Sequence, residues 1–260
     1  NTNSYFSILE AISQTEDLER KNVNNKSILM YAAQNNIDVR ILKMILDKFV
    51  DINEKNDNEW TALMYAARYN PNPAILSNLL LRGAHSSPNS VGLTITMLAA
   101  CNPNPGVLLI SLSQLSELNA QTNNGKTALM YACENQQSAE SIDLLLNNGA
   151  DLNIKDKDGK TALIYALENY TKPEVIYLLL TAGADPTIVD KNDKNISDYL
   201  QQNNNLNKTD LIKFINISST NEKKQTNSIV DENKAQDDIN MLNNIDYEDD
   251  NDNEKINLGE

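Results

Sequence analysis

The chain is short of the residue types that most active-site chemistry needs. Its 260 residues include one histidine, one tryptophan, three phenylalanines and two cysteines. A Ser-His-Asp or Cys-His arrangement would have to use His85, which stands in the polar stretch Gly83-Ala-His-Ser-Ser-Pro88 and reads as a plain turn residue. No Cys/His cluster has metal-ligand spacing, and there is neither a glycine-rich phosphate loop nor a Gly-x-Ser-x-Gly elbow. No catalytic residue, cofactor or metal is therefore expected, and the chain reads as non-enzymatic. No apolar run approaches the length of a membrane span. Bases are also scarce: 22 Lys and Arg face 36 Asp and Glu, a net charge of −14, and a pI near 4.5 argues against nucleic acid as partner.

What the chain has instead is one phrase, repeated. Ser27-Ile-Leu-Met-Tyr-Ala-Ala33 returns from Thr61, Thr94, Thr127 and Thr161, and fades at Asn195-Ile-Ser-Asp-Tyr-Leu200; successive starts lie 34, 33, 33, 34 and 34 residues apart. A period near 33 marks a stack of units, each burying its apolar side only against neighbours. The leading Ser or Thr suits a helix N-cap. Pro73, Pro105 and Pro173 precede apolar runs such as Ile75-Leu76 with Leu79-Leu80-Leu81, which predicts a second helix opening on proline. Gly83, Gly149 and Gly183 stand where a left-handed C-cap is needed, whereas Phe49 and Leu115 hold that place in the other two units.

The pattern resembles the ankyrin repeat. Leu144-Leu-Leu-Asn-Asn-Gly-Ala-Asp-Leu-Asn153 follows that family's closing phrase, and Asp158-Gly-Lys-Thr161 its opening turn. The departures are regular: Ala stands for the family's Pro, Met30, Met64, Met97 and Met130 for its His, and most inter-helix loops are one residue longer. The abundance of Asn suggests an AT-rich genome, as in many bacterial members. The resemblance implies an all-α ankyrin-repeat solenoid of helix-turn-helix units over residues 1–216, with about five full repeats between capping repeats. Tyr5 to Ile12 reads as an N-terminal half-repeat and Asn192 to Ile215 as the C-terminal cap.

Residues 217–260 read as a disordered acidic tail. Residues 221–260 hold 12 acids and 4 bases, too polar and too charged to offset the entropy of ordering. Within it, residues 237–250 alternate acids with Ile239, Met241, Leu242, Ile245 and Tyr247. The plain reading is a solvating segment; the sharper one is an acidic-hydrophobic motif that docks on a partner or on the chain's own repeats. Cys101 and Cys133 fall at different places in adjacent repeats, which gives a disulfide no support and leans towards a reducing, cytoplasmic compartment. The chain begins with Asn1, which suggests trimming and leaves a secreted or periplasmic place open.

Function has to be read from positions that vary while the scaffold repeats. Tyr31, Tyr65, Tyr131, Tyr165 and Tyr199 share one position, with Leu98 completing the set, and a repeat-invariant aromatic reads as inter-repeat packing. The Met column reads as core by the same reasoning. The resemblance implies that a protein partner lies along the concave face, against turn tips and first-helix ends. Those positions collect ten bases against four acids, a charge of +6, although adding the adjacent turn acids lowers it to +2. Trp60, Tyr69, Val91 and Leu93 form an apolar centre there. With Arg68, Asn124, Lys126, Glu134, Asn135, Lys157 and Lys160 they make the expected partner-binding set, an aromatic anchor with a charged rim. The expected partner is an acidic-hydrophobic protein segment bound to a monomer, with neither nucleic acid nor membrane involved. A scaffold contacting partners through its convex face or ends is the alternative.

If the tail is separate from the fold, deleting residues 218–260 leaves helical content and melting temperature unchanged. Circular dichroism melts of the two chains check this, and a loss of cooperativity on deletion would show that the tail is part of the folded unit.

Overall fold

The computed structural model describes residues 21–202, apart from Val23, 36–37, Phe49, 115–116, Gln136 and 170–172. All of these lie in one unit of the chain, Asn1–Ser218. The expected N-terminal half-repeat, the later part of the C-terminal cap, the tail, Phe49 and Leu115 lie outside the described residues.

The described residues are all-helical, with no strand among them. First helices α1 (Ile28–Gln34), α3 (Ala62–Tyr69), α5 (Ile95–Ala99), α7 (Ala128–Glu134), α9 (Ala162–Asn169) and α11 (Ile196–Gln202) stack in order as one layer. Second helices α2 (Val39–Leu46), α4 (Pro73–Leu81), α6 (Pro105–Gln114), α8 (Ala139–Asn147) and α10 (Pro173–Thr181) form the other layer, each packed on its own first helix. The caps are those expected. The Ser27, Thr61, Thr94 and Thr127 hydroxyls accept from the Met30, Met64, Met97 and Met130 N–H groups at 3.4, 3.3, 3.2 and 3.3 Å. Each such cap stabilises its helix by about 1 kcal/mol. The four methionines are fully buried between the layers. Gly83, Gly149 and Gly183 have φ of +91°, +90° and +97°. The N–H groups of Ala84, Ala150 and Ala184 reach back to Leu79, Leu145 and Leu179, closing α4, α8 and α10 with Schellman turns.

Between repeats the backbone turns stack directly. One residue closes each turn from within: the side-chain oxygen of Asn22, Asn56, Asn89, Thr122, Asp156 or Asp190 accepts the N–H four residues on, at 2.8–3.1 Å. A backbone bond then ties each turn to the one before it: Asp57 N–H to Asn24 O, Asn123 to Val91, Lys157 to Asn124 and Lys191 to Asp158, at 2.8–3.3 Å. One step departs. Where Ser90 N–H would meet the Asn58 carbonyl it bonds the Glu59 carboxylate at 2.6 Å, and Glu59 itself sits at φ +59°. That left-handed position is held by Asn25 in the repeat before, by Gly92, Gly125 and Gly159 in the three that follow, and by Asp193 in the last.

The third repeat differs in other ways. It has one residue fewer between its Thr cap and its second helix than the repeats on either side, and α5 is only five residues long. Thr96 and Ser111 bond each other at 3.0 Å in the core, in columns held elsewhere by Leu29, Leu63, Leu129 and Leu163 and by Ile45, Leu79, Leu145 and Leu179. Just before this repeat, in the closing phrase of the second, Ser86 stands in a column otherwise held by Ile52, Leu118, Leu152 and Pro186, and its buried hydroxyl has no hydrogen-bond partner. An orphaned buried hydroxyl and a polar pair replacing Leu contacts both weaken packing there.

Two glycine substitutions separate backbone strain from turn stacking. A Cβ at Gly149 meets nothing within 4 Å, so Gly149→Ala costs strain alone, about 1 kcal/mol. A Cβ at Gly125 would lie 2.8 Å from the Asp156 Cα of the next turn, so Gly125→Ala adds a clash between stacked turns and costs about 2–4 kcal/mol. Urea unfolding compares the two; equal losses would show that the turns do not bear on each other.

Candidate functional site

The tyrosine column lies on the first-helix layer, and each ring is anchored by its hydroxyl to the residue that closes its own turn. Asn22 and Asn56 amides donate to the Tyr31 and Tyr65 hydroxyls at 3.0 Å, and the Tyr165 and Tyr199 hydroxyls donate to Asp156 and Asp190 at 2.7 Å. Burial pushes the Tyr165 and Tyr199 phenols far up, helped by these carboxylates, so both stay neutral. Burial raises the Asp190 carboxyl, but bonds from Tyr199, the Lys194 and Asn192 N–H groups and the Asn192 amide outweigh it and hold the carboxyl at about 2. The column is core at one end only: Tyr165 and Tyr199 are buried, Tyr65 and Tyr131 half-buried, and Tyr31 is 45% exposed.

A polar clasp covers the rings. In the first, fourth and fifth repeats the Lys before the cap meets a side chain eight residues on: Lys26 with Gln34, Lys126 with Glu134 at 2.6 Å, Lys160 with Glu168 at 2.5 Å. The ammonium groups lie over the rings, Lys26 within 4.0 Å of the Tyr65 centroid and Lys126 within 4.6 Å of that of Tyr165. In the second and third repeats the same pair of positions holds Trp60 with Arg68 and Leu93 with Cys101. The clasp is missing there, and Leu98 replaces the tyrosine.

A hollow of about 360 Å³ opens at that place, lined by Trp60, Arg68, Tyr69, Leu93, Met97, Leu98, Cys101, Tyr131, Glu134 and Asn135. Trp60, Tyr65 and Tyr69 form an aromatic triad beside it, with centroids 5.2–6.2 Å apart. Arg68 reaches across two repeats: it donates to the Cys101 carbonyl at 2.7 Å and to Asn135 at 3.2 Å, its guanidinium 5.5 Å from the Tyr69 centroid. The carbonyl it takes lies just past the shortened α5. Burial pushes the Cys101 thiol up to about 11, so it is an apolar part of the wall rather than a nucleophile.

Six of the expected residues line this hollow: Trp60, Arg68, Tyr69, Leu93, Glu134 and Asn135. Val91, Asn124 and Lys157 lie instead on the turn tips, and Lys126 and Lys160 sit over the tyrosines in clasps. Met97, Leu98, Cys101 and Tyr131 were not expected in it. Leu98 alone carried a signal, as the one break in the tyrosine column. The cationic rim is narrower than a count of charges suggests, because Lys21, Lys126, Lys160 and Lys191 pair with Glu54, Glu134, Glu168 and Asp158. His85 is exposed, its N–H bonded to Asn53. Among the described residues no helix is long and apolar enough to cross a membrane, and no three His, Cys, Asp or Glu are grouped to hold a metal.

The model of ankyrin repeats (3 copies) matches residues 2–90 and 96–190. The chain belongs to the ankyrin-repeat family. The crystal structure of the human ASB11 ankyrin repeat domain is similar to it in fold, with a TM-score of 0.68 at 22% identity over 77% of this chain and 91% of that one. No curated protein matches it in sequence. Ankyrin repeats are in general modules for protein–protein interaction and typically non-enzymatic.

The acid-sensitive part of this architecture is testable. A carboxyl held low contributes stability above its ordinary range that is lost as pH falls towards about 2. Asp190→Asn keeps the turn closed, as Asn56 does in the second repeat, but removes that contribution. Urea unfolding is expected to show the variant weaker at pH 7, with the difference shrinking below pH 4 and most of it gone by pH 2. A difference independent of pH would contradict the assignment.

Proposed function

We propose that residues 1–216 form a non-enzymatic interaction module that binds an extended segment of a protein partner across the first-helix layer, centred on the second to fourth repeats. The observation that carries this reading is the coincidence of three local losses at one place: the Lys clasp, the tyrosine rung and the backbone bond between turns. Elsewhere the layer is closed by satisfied pairs; here aromatic surface and a half-buried Arg face outward. Trp60, Arg68, Tyr69, Leu93, Glu134 and Asn135 would make the central contacts. Val91, Asn124, Lys126, Lys157 and Lys160 would flank them, and Lys157, exposed and in no ion pair among the described residues, would favour an acidic residue at that end of the bound segment. Large aromatic and Arg side chains in a desolvated centre are the usual carriers of binding energy.

A second reading has its own observation. Helices α4 and α6 carry no charged residue, and Leu81 and Leu109 are 81% and 51% exposed on them. A scaffold contacting partners through its outer layer would use that surface.

Displayed random peptides selected on the full chain decide between the two. Selected ligands are expected to lose about tenfold or more in affinity for Trp60→Ala, Leu93→Glu and Arg68→Glu. They are expected to bind Leu81→Glu and Leu109→Glu as they bind the wild type. The reverse pattern assigns the site to the outer layer.

A further inference from the structure

The hollow has the form of an absent side chain. Five of the six rungs of the column are tyrosines, and the sixth, Leu98, lacks the ring that would otherwise stand between Tyr65 and Tyr131. Resting on the reading of this layer as a protein-binding surface, we infer that the partner segment supplies that ring: an aromatic residue, flanked by acidic residues, inserts over Leu98 and completes the column.

Size, walls and charge support this occupant. An apolar cavity of about 150 Å³ already accepts benzene, so a hollow of about 360 Å³ has room for a ring entering from outside. The walls suit an aromatic more than an aliphatic side chain. Trp60 and Tyr69, stacked at 5.9 Å, stand on one side and Tyr131 on the other, with the Met97 thioether among the lining groups. Edge-to-face and offset ring contacts add to plain apolar burial in such a setting, as do sulfur–ring contacts. The neighbouring rungs cannot compete for the ring, because the Lys clasps with Gln34, Glu134 and Glu168 cover theirs.

The charges point to acids beside the ring. Glu134 on the rim is already neutralised by Lys126. Arg68 spends two bonds on the Cys101 carbonyl and Asn135, and a guanidinium has five N–H donors, so it retains capacity for a carboxylate. Farther along the same layer, Lys55 in the turn of the second repeat and Lys155 and Lys157 in that of the fifth are exposed and form no ion pair among the described residues. An acid beside the ring therefore meets the Arg68 guanidinium, and acids farther along the segment meet these lysines.

The fold supplies a direct test, because its other repeats show how to fill the hollow from within. Leu98→Tyr restores the column, and Asn89 stands ready to bond the new hydroxyl as Asn56 bonds that of Tyr65. The variant is expected to melt no lower than the wild type while losing the site. Trp60, the only tryptophan, reports on the hollow by its emission. Capped peptides acetyl-Asp-Phe-Asp-amide, acetyl-Asp-Leu-Asp-amide, acetyl-Asp-Ala-Asp-amide and acetyl-Lys-Phe-Lys-amide are titrated against the full chain, following Trp60 emission and the Leu98, Cys101 and Asn135 amide shifts. The acidic Phe peptide is expected to bind in the millimolar range, and the other three about tenfold or more weaker. Leu98→Tyr is expected to abolish its binding. Equal binding of the Phe and Leu peptides, equal binding by Leu98→Tyr, or no response to any peptide overturns the inference. If Leu98→Tyr does not fold, Leu98→Ala replaces it. That deeper hollow is expected to shift preference about tenfold towards a 2-naphthylalanine peptide over Phe, and an unchanged ratio overturns the inference. Failure of the broader reading is distinguishable. Display-selected ligands that need Trp60 and Leu93, lack aromatics and bind Leu98→Tyr normally would sink the ring and leave the module standing. Ligands indifferent to Trp60, Leu93 and Leu98 alike would sink both.

Discussion

One backbone hydrogen bond per repeat, from the N–H of a turn to a carbonyl of the turn before it, sets the spacing on which the rest of this stack depends. It brings successive turns so close that a Cβ at Gly125 or Gly159 would overlap the next turn's backbone at 2.8–2.9 Å. With turns locked at that spacing, first helices are held near enough for Ala33, Ala67, Ala99, Ala100 and Ala132 to pack with no exposed surface. Buried amides then span from one repeat to the next: Asn70 donates to the Ala33 and Asn35 carbonyls, and Asn102 to those of Ala67 and Asn70. Each such bond satisfies a carbonyl at a helix end that would otherwise be buried unpaired.

The candidate site lies where this lattice is interrupted, and it arises from subtractions. A side chain, Glu59, stands in for a backbone carbonyl between the second and third turns. One residue fewer shortens α5, so the Cys101 carbonyl becomes available to Arg68. Leu98 in place of tyrosine leaves the space, and Trp60 and Leu93 in place of lysine leave it uncovered. The polar Thr96–Ser111 pair lies in the same repeat and the orphaned Ser86 hydroxyl in the closing turn just before it, so the candidate site and the softest core lie side by side. In a nearest-neighbour stack a soft repeat is tolerated because its neighbours contribute interface energy from both sides.

Much of the fold was legible because the signals are local. An N-cap hydroxyl, a proline at a helix start, a left-handed glycine and an apolar column each act within a few residues, and the caps from Ser27, Thr61, Thr94 and Thr127, the prolines and the glycines were found where the sequence placed them. The site was half legible. Trp60, Tyr69 and Leu93 stood out as departures from their columns, whereas Met97 and Tyr131 obey theirs and so looked like core only. The charges were misjudged in extent, because Lys126 and Glu134 are eight residues apart and meet only once the turn folds back on its helix. Arg68 and Asn135 were both expected on the binding face, but nothing local announces their contact, which spans 67 residues.

The claim that partner binding belongs to the interrupted repeats is tested most directly by hydrogen exchange on the full chain, with and without a display-selected peptide. Protection is predicted to concentrate in residues 60–69, 93–101 and 131–135, with α4, α6 and the fifth repeat unchanged. Protection spread evenly along the first helices, or centred on α4 and α6, would contradict the account.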